Sequence, residues 1–483
     1  MADEQHTTFE KSAVAEPEIE PGEGSEEEPE REPDENTEWE GEYGESGCPV
    51  GMVEYPEVRC GRKLHVTPEG MDEYPVCLMH SKDPNKRSGP LFEAFRREFE
   101  RILIKAGGSE AHFEKFVFPP LDFSRREFQA ICLFSGATFT QSASFFDATF
   151  MQKVDFDFVT FIQDADFAFA TLTQNADFSG ATFTQATNYS CAKFHGTVDW
   201  SSCRFLAQTE FVNTTFDPQI VGKPSAVFDG ANFFKPSEIV FDDVDLSRAL
   251  FHNCDVSQVS FTSSVRWGIR GNNRGLAVFE ETIPLEQLHT VTLKRDGRRD
   301  YRAVAQIYQQ LKKNYDVRLD YWTANEFHFG EMEMKRLAVP TVGPLLWLRK
   351  WFHRKLSLVA LYKHASDYGN SYGKPMLWLL GILALFAALL PLPGVGLKRQ
   401  GAGQAETYAT VWRAGDGWMA NLRAEARLGG KGAITSVDAA TFQKSAEYAP
   451  VYPWGRVLAI FETLLTSTLF ALFLLAIRRQ FRR

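Results

Sequence analysis

The chain has 483 residues, enough for two or three domains with cores of useful size, and at 44% hydrophobic it is no disordered polymer. Seven cysteines are too few for a disulfide scaffold. The net charge of -11 is a composite, because residues 1–46 hold 18 acidic and two basic residues and leave the rest of the chain at +5. There are 41 Phe against 10 Trp and 14 Tyr, which implies a repeat with a fixed place for that side chain.

Residues 1–46 are rich in Glu, Pro and Gly and nearly free of apolar groups. They cannot offset the entropy of ordering, and a disordered acidic tail is expected. No basic n-region precedes an apolar stretch there, so no secretory signal is read. Residues 47–90 place Cys48, Cys60, Cys77 and His80 in a C-x11-C-x16-C-x2-H spacing. Three thiolates and an imidazole form a tetrahedral set suited to one structural zinc, with His65 a competing ligand. The alternative is a set of reduced cysteines in a small core. Residues 91–120 begin with Phe92, Phe95, Phe99, Ile102 and Leu103 at helical spacing, a helical cap for the open end of a stacked repeat.

From Phe123 to Phe216, 18 positions succeed one another in strictly alternating steps of five and six. Fifteen are Phe; the others are Leu172, Tyr189 and Trp200. The residue two before each is mostly Ala, Val or Cys, including Cys132 and Cys203, so two inward positions recur as extended chain requires. A second block continues with Phe228, Phe233, Phe241, Leu246, Phe251, Val256 and Phe261. Residues 121–265 therefore read as a narrow solenoid filled by aromatic rings. With its FSGATF, FDATF and DADFAFATL segments, the chain resembles the pentapeptide-repeat proteins in the variant alternating five- and six-residue units. That resemblance implies a mainly β solenoid, a right-handed quadrilateral β-helix.

Polar residues precede every second aromatic: Asp155, Asp166, Asp177, Asn188, Asp199 and Glu210. A coil of 22 residues stacks Asp155, Asp177 and Asp199 on one side and Asp166, Asn188 and Glu210 on the other. These are either ordinary outward positions or a surface for a basic partner. Some relatives in the resembled family mimic DNA and act on gyrase. Residues 123–216 hold nine acidic and five basic residues, too small a surplus to favour that reading, and nucleic acid is not expected as a partner.

Residues 266–340 give a linker and two helices joined near Asp316–Asp320, with His328 and Glu331 taken as helix-surface residues. In 341–374, Trp347 and Trp351 alternate with Arg349, Lys350, Arg354 and Lys355, as expected of an amphipathic segment on anionic lipid. Two apolar stretches can each cross a membrane, within 375–397 and 456–478; an outer loop, 398–455, separates them and a basic tail, 479–483, ends the chain. Lys and Arg crowd before the first span and after the second, putting both termini in the cytoplasm of a bacterial cell and the chain in its inner membrane as a multi-pass protein. The C-terminal run resembles the inner helix of two-span cation channels, but the loop shows no T-x-G-Y-G filter and no apolar pore helix. Glu462 is expected to snorkel outward, the alternative being a position lining a path. No nucleophile elbow, P-loop, dinucleotide fingerprint or HExxH motif occurs, so no enzyme is expected. The reading is a membrane-anchored scaffold for an unknown cytoplasmic protein, with homo-oligomerisation open. A channel-like transporter is the alternative, and a DNA-mimic regulator of gyrase a weaker one.

Overall fold

A computed structural model describes residues 47–53, 56–66, 70–217, 222–271, 275–283, 299–338, 346–390, 395–397, 407–408, 418–441, 448–450 and 453–480. The acidic tail 1–46 and much of the loop 398–455 lie outside the described residues.

The centre of the molecule is a parallel β-solenoid of about seven turns. Its short strands, most of them two residues long, form four ladders, of seven, six, five and six strands, in which all but the terminal pairings join a strand to the fourth one along the chain. The regular register is 22 residues: Val154 pairs with Ala176 and Ala176 with Val198, while Ala165 pairs with Thr187 and Thr187 with Thr209. The fixed spacing of aromatics stacks like on like. Phe134, Phe156 and Phe178 lie 4.9 Å apart in sequence, and Phe123, Phe145 and Phe167 4.8 Å apart. Neighbouring columns meet edge to face, as with Phe145 and Phe156 at 78°, the geometry that ring quadrupoles favour. Where Phe is replaced, the new polar tips satisfy each other: Trp200 Nε1 donates to Tyr189 Oη at 3.2 Å inside the core. Cys132, Cys203 and Cys254 are buried in the same core.

Two opposite corners turn by the same device. Gly136, Asp147, Phe158, Phe169, Gly180, Cys191 and Ser202 recur at 11-residue intervals, all with positive φ. Each is the third residue of a four-residue turn closed by a backbone hydrogen bond, such as Ala137 N to Phe134 O at 2.8 Å, the arrangement of a type II turn. Phe158 and Phe169 hold this conformation with 67% and 50% of their surface exposed.

Both solenoid ends are covered, which removes the open edges that would otherwise template aggregation. At the first coil, helix α1 (Gly89–Ala106) buries Phe95, Phe99 and Ile102, and Phe99 packs against Phe113 and Phe123. A single helical turn, α2 (Phe279–Thr282), closes one ladder at the other end, with buried Glu280 accepting from Phe251 N. An αα-hairpin, α3 (Tyr301–Val317) and α4 (Tyr321–Leu337), covers the rest. Asn314 of α3 is 2% exposed; its Nδ2 donates to Val256 O at 2.8 Å and Val259 O at 2.7 Å. Arg318 donates to Val259 O at 2.7 Å. Side chains thus replace the next strand.

Beyond the hairpin lie α5 (Leu346–Leu356), α6 (Leu358–Ser366), α7 (Gly373–Leu389), α8 (Trp418–Ala440) and α9 (Pro453–Gln480). One helix, α9, is long and apolar enough to cross a membrane. The first expected span shows only as α7, whose 17 residues reach about 26 Å, short of a hydrocarbon core of about 30 Å. It passes as a span only together with Trp351–Gly369, from which it is bent by 120°.

Three sequence expectations change. His328 and Glu331 are buried, at 8% and 3% exposure, rather than on a helix surface. Glu331 is matched there by Lys312 and Lys335. Glu462 does not snorkel: it is fully buried. The loop 398–455 does contain a long helix, α8, which packs against α7 and α9. Its apolar residues are diluted by Gly, Arg and Lys, which hid it from an apolar-run criterion.

Candidate functional site

The four residues of the sequence-derived ligand set converge. The donor atoms of Cys48, Cys60, Cys77 and His80 all lie within 4.8 Å of one another. A hairpin sets Cys48 opposite Arg62 and Cys60 opposite Val50, through Cys48 N to Arg62 O and Cys60 N to Val50 O, both 2.8 Å, which leaves the two cysteines two positions apart on facing strands. Its strands come so close that a Cβ on Gly47 would lie 2.2 Å from Gly61 O. The C-x2-H pair is folded by a turn, with His80 N donating to Cys77 O at 3.1 Å.

The distances fit a tetrahedral ion. Metal–sulfur bonds of about 2.3 Å and metal–nitrogen bonds of about 2.05 Å imply edges of about 3.8 Å between sulfurs and about 3.5 Å between sulfur and nitrogen. Cys60 Sγ and Cys77 Sγ are 3.8 Å apart, and His80 Nδ1 is 3.4 Å from Cys48 Sγ and 3.2 Å from Cys77 Sγ. A disulfide would need the sulfurs at about 2.05 Å. His80 Nε2 donates to Glu114 O at 3.1 Å, which fixes the tautomer and leaves the Nδ1 lone pair facing the sulfurs. Arg62 Nη1 donates to Cys60 Sγ at 3.2 Å. Hydrogen bonds from Cys48 and Cys77, with Arg62 adding charge, hold the Cys60 thiol far below its ordinary range. Burial pushes His80 down, but its bonds to Cys48 and Cys60 outweigh that and raise it, so a metal binds there in competition with a proton at Nδ1. His65 is engaged elsewhere, with Nε2 3.0 Å from Asp83 Oδ2. A Cys3His set can hold a metal ion with no coordination position left for a substrate, so its chemistry is structural.

The module is tied to the first coil. Val117 N donates to Met79 O at 2.9 Å, Lys115 Nζ donates to Gly51 O at 2.8 Å, and the His80 ring meets Phe116 edge-on.

The acidic positions stack in the expected columns. Asp155, Asp177 and Asp199 are register partners, as are Asp166, Asn188 and Glu210. Their side chains also do local work that the spacing did not disclose. Asp155, Asp166, Asp177, Asn188 and Asp199 each accept, through Oδ1, the backbone N–H two residues on, at 2.8–3.0 Å. This is the Asx turn, which explains the preference for the short side chains. Glu210 instead accepts from Gln208. Burial lifts Asp155 to about 6, with Asp157 and Asp177 adding repulsion, and burial likewise raises Asp199.

Of the membrane-surface set, Trp347 and Trp351 are exposed in α5, at 70% and 51%. Arg354 and Lys355 are exposed beside them, and Arg349 and Lys350 belong to the same helix.

Sequence reasoning missed the junction between the hairpin and the helices α6 and α9. Glu333 of α4 accepts from Arg336, from Lys363 of α6 at 2.9 Å and from Tyr368 Oη at 3.0 Å. Arg479, at the end of α9, donates to Tyr368 O at 2.7 Å. Asp367 and Tyr368 are consecutive left-handed residues, at φ 48° and 58°, strain that this convergence holds in place. Burial opposes ionisation of Glu333, but Arg336 and Lys363 hold it at about 2. Apart from Arg336, three positions on, the partners are 30 to 111 positions apart in the chain, so no local pattern announces them.

No protein family, curated protein or solved structure matches the chain.

Proposed function

We propose that this chain is a membrane-anchored, non-catalytic scaffold of a bacterial inner membrane, presenting a pentapeptide-repeat solenoid to the cytoplasm. In this reading the four ladders are the sides of a right-handed quadrilateral β-helix, α7 and α9 are the two spans, and both termini are cytoplasmic. The observation that carries it is the junction at Glu333, Tyr368 and Arg479, which ties the hairpin covering the solenoid to the end of α9. A solenoid closed at both ends and fixed at its base suits holding a partner at a set place near the bilayer. Helices α5 and α6, with exposed Trp beside Arg and Lys, suit the headgroups of an anionic leaflet. The Cys3His module, loaded with zinc, fastens the distal end.

The partner face assigned to this function is the Asp155–Asp177–Asp199 column, in which Asp155 Oδ2 already meets Lys153 Nζ at 3.8 Å, a contact that a basic protein surface would replace. Crosslinking in cells followed by mass spectrometry of tagged full-length protein tests it. A triple Asp155→Asn, Asp177→Asn, Asp199→Asn variant keeps the turn-capping oxygens and removes the charge. A defined cytoplasmic partner, lost in the variant, is expected; self-crosslinks alone through the membrane helices would sink the scaffold reading.

A second reading, a channel-like transporter without a potassium filter, is favoured by one observation: α8 packs against both α7 and α9, which also pack on each other. Ion flux in liposomes holding the full-length protein distinguishes it.

A further inference from the structure

Three helices distant in the chain meet at one carboxyl group. Glu462 of α9 is 0% exposed. Its Oε1 is hydrogen-bonded with Ser436 Oγ of α8, and Ser436 Oγ lies 3.2 Å from the main-chain oxygen of Leu383 in α7. A serine hydroxyl has one proton to give. A main-chain oxygen can only accept, so Ser436 Oγ can bond both neighbours only if it donates to Leu383 O and the proton between Ser436 Oγ and Glu462 Oε1 comes from the carboxyl group; an ionised Glu462 would take the serine proton and leave Leu383 O without it.

The surroundings agree. Glu462 Oε2 is buried without a hydrogen-bond partner, a position in which an ionised carboxylate is strongly disfavoured. The other hydroxyls nearby are committed to main-chain oxygens: Thr466 Oγ1 to Glu462 O at 2.8 Å, Thr463 Oγ1 to Ala459 O at 2.7 Å and Thr435 Oγ1 to Lys431 O at 2.9 Å. The charged residues nearest along these helices are Lys431 and Asp438, five positions before and two after Ser436, and Arg456, six before Glu462. In α7 there is Lys374, in α8 Arg423, Glu425, Arg427, Lys431 and Asp438, and in α9 Arg456, Arg478 and Arg479. Among the described residues, none forms an ion pair with Glu462.

We propose that Glu462 is a proton-binding site in the membrane part of this chain, its neutral acid donating to Ser436 and so joining α8 to α7 and α9. The ligand is the proton itself, and its loss leaves a partnerless charge between three helices, which drives α8 off the other two.

Infrared difference spectroscopy of full-length protein in lipid vesicles at pH 7, well above the ordinary Glu value of about 4.3, tests this. Subtracting the spectrum of Glu462→Gln removes the background of other acids. A carboxylic-acid C=O band in that difference, shifted in frequency by Ser436→Ala, is expected. A carboxylate band in its place overturns the proposal. So does an acid band that vanishes when sodium or potassium replaces choline in the buffer, since the site would then take a metal cation. A measurement on the wild type alone guards against a misfolded variant. An apolar carbodiimide, which modifies protonated carboxyls, should label the peptide containing Glu462 at pH 7, and an unlabelled peptide likewise overturns the assignment.

Discussion

Replacing Cys77 by Ser takes one donor from the metal set and, with it, the reason for the module to stay folded against the first coil. The segment has few buried apolar residues of its own, with Val76 and Met79 the main ones besides the ligands. Its polar hold on the solenoid is three hydrogen bonds, His80 Nε2 to Glu114 O, Val117 N to Met79 O and Lys115 Nζ to Gly51 O, beside the ring contact of His80 with Phe116. At about 1 kcal/mol each, their loss removes about 3 kcal/mol from the solenoid. For a unit of this size, about 2–4 °C per kcal/mol lowers the unfolding midpoint by about 6–12 °C. The assay is thermal unfolding of purified full-length protein followed by Trp fluorescence, with metal analysis of the same sample. Wild type should contain about one zinc per chain, and a strong chelator should lower its midpoint to that of Cys77→Ser. The variant should be indifferent to chelator. Wild-type protein that is metal-free, fully folded and equally stable would refute the reasoning.

Asn314→Ala should cost about 2–3 kcal/mol, because Val256 O and Val259 O lose their donor at a buried edge; chemical denaturation measures it, and a loss below about 0.5 kcal/mol contradicts the capping role. The Asp155 column makes stability fall as pH rises. Its folded value of about 6 exceeds the unfolded value of about 3.9, so the native state holds the extra proton between them and loses that advantage above pH 6. With partial solvent screening this amounts to about 1–2 kcal/mol, and Asp157→Asn, which relieves one repulsion, should flatten the profile; an unchanged slope from pH 4 to about 7 contradicts the assignment. Arg354→Gln with Lys355→Gln should weaken sedimentation of a fragment spanning 47–366 with anionic liposomes by about 30-fold, at about 1 kcal/mol per charge. Equal binding to neutral liposomes would exclude the lipid-facing role of α5.

The solenoid was legible because its determinant is strictly periodic. One large and one small inward residue recur at steps of five and six, and the 22-residue register of Asp155 with Asp177 comes from counting alone. The ligand set was legible for a different reason: Cys and His carry their chemistry with them, although only the folded chain distinguishes His80 from His65. What stayed hidden depends on distance along the chain. Glu333 meets Lys363 and Tyr368 across separate helices, and Ser436 meets Glu462 across a loop. Helix α8 escaped because packing against two apolar helices, rather than its own composition, supports it. The turn-capping work of Asp155, Asp177 and Asp199 escaped because an outward acidic residue and an Asx turn leave the same letter in the sequence.

The solenoid is also a ruler with a phase. Each 22-residue coil advances the axis by about 4.8 Å and returns every side chain to its own face. A duplicated coil would therefore lengthen the reach without rotating anything mounted beyond it. An 11-residue insertion acts differently, because it carries the Asp155 face over to the side now held by Asp166, a half-turn of everything downstream. The chain already shows how tolerant this metric is. Val198 pairs with Ala226, 28 positions on rather than 22, and the ladder continues in register past the extra residues. Reach along the axis and compass bearing are thus separately adjustable quantities, set by whole and half coils, while loops inserted at a corner change neither.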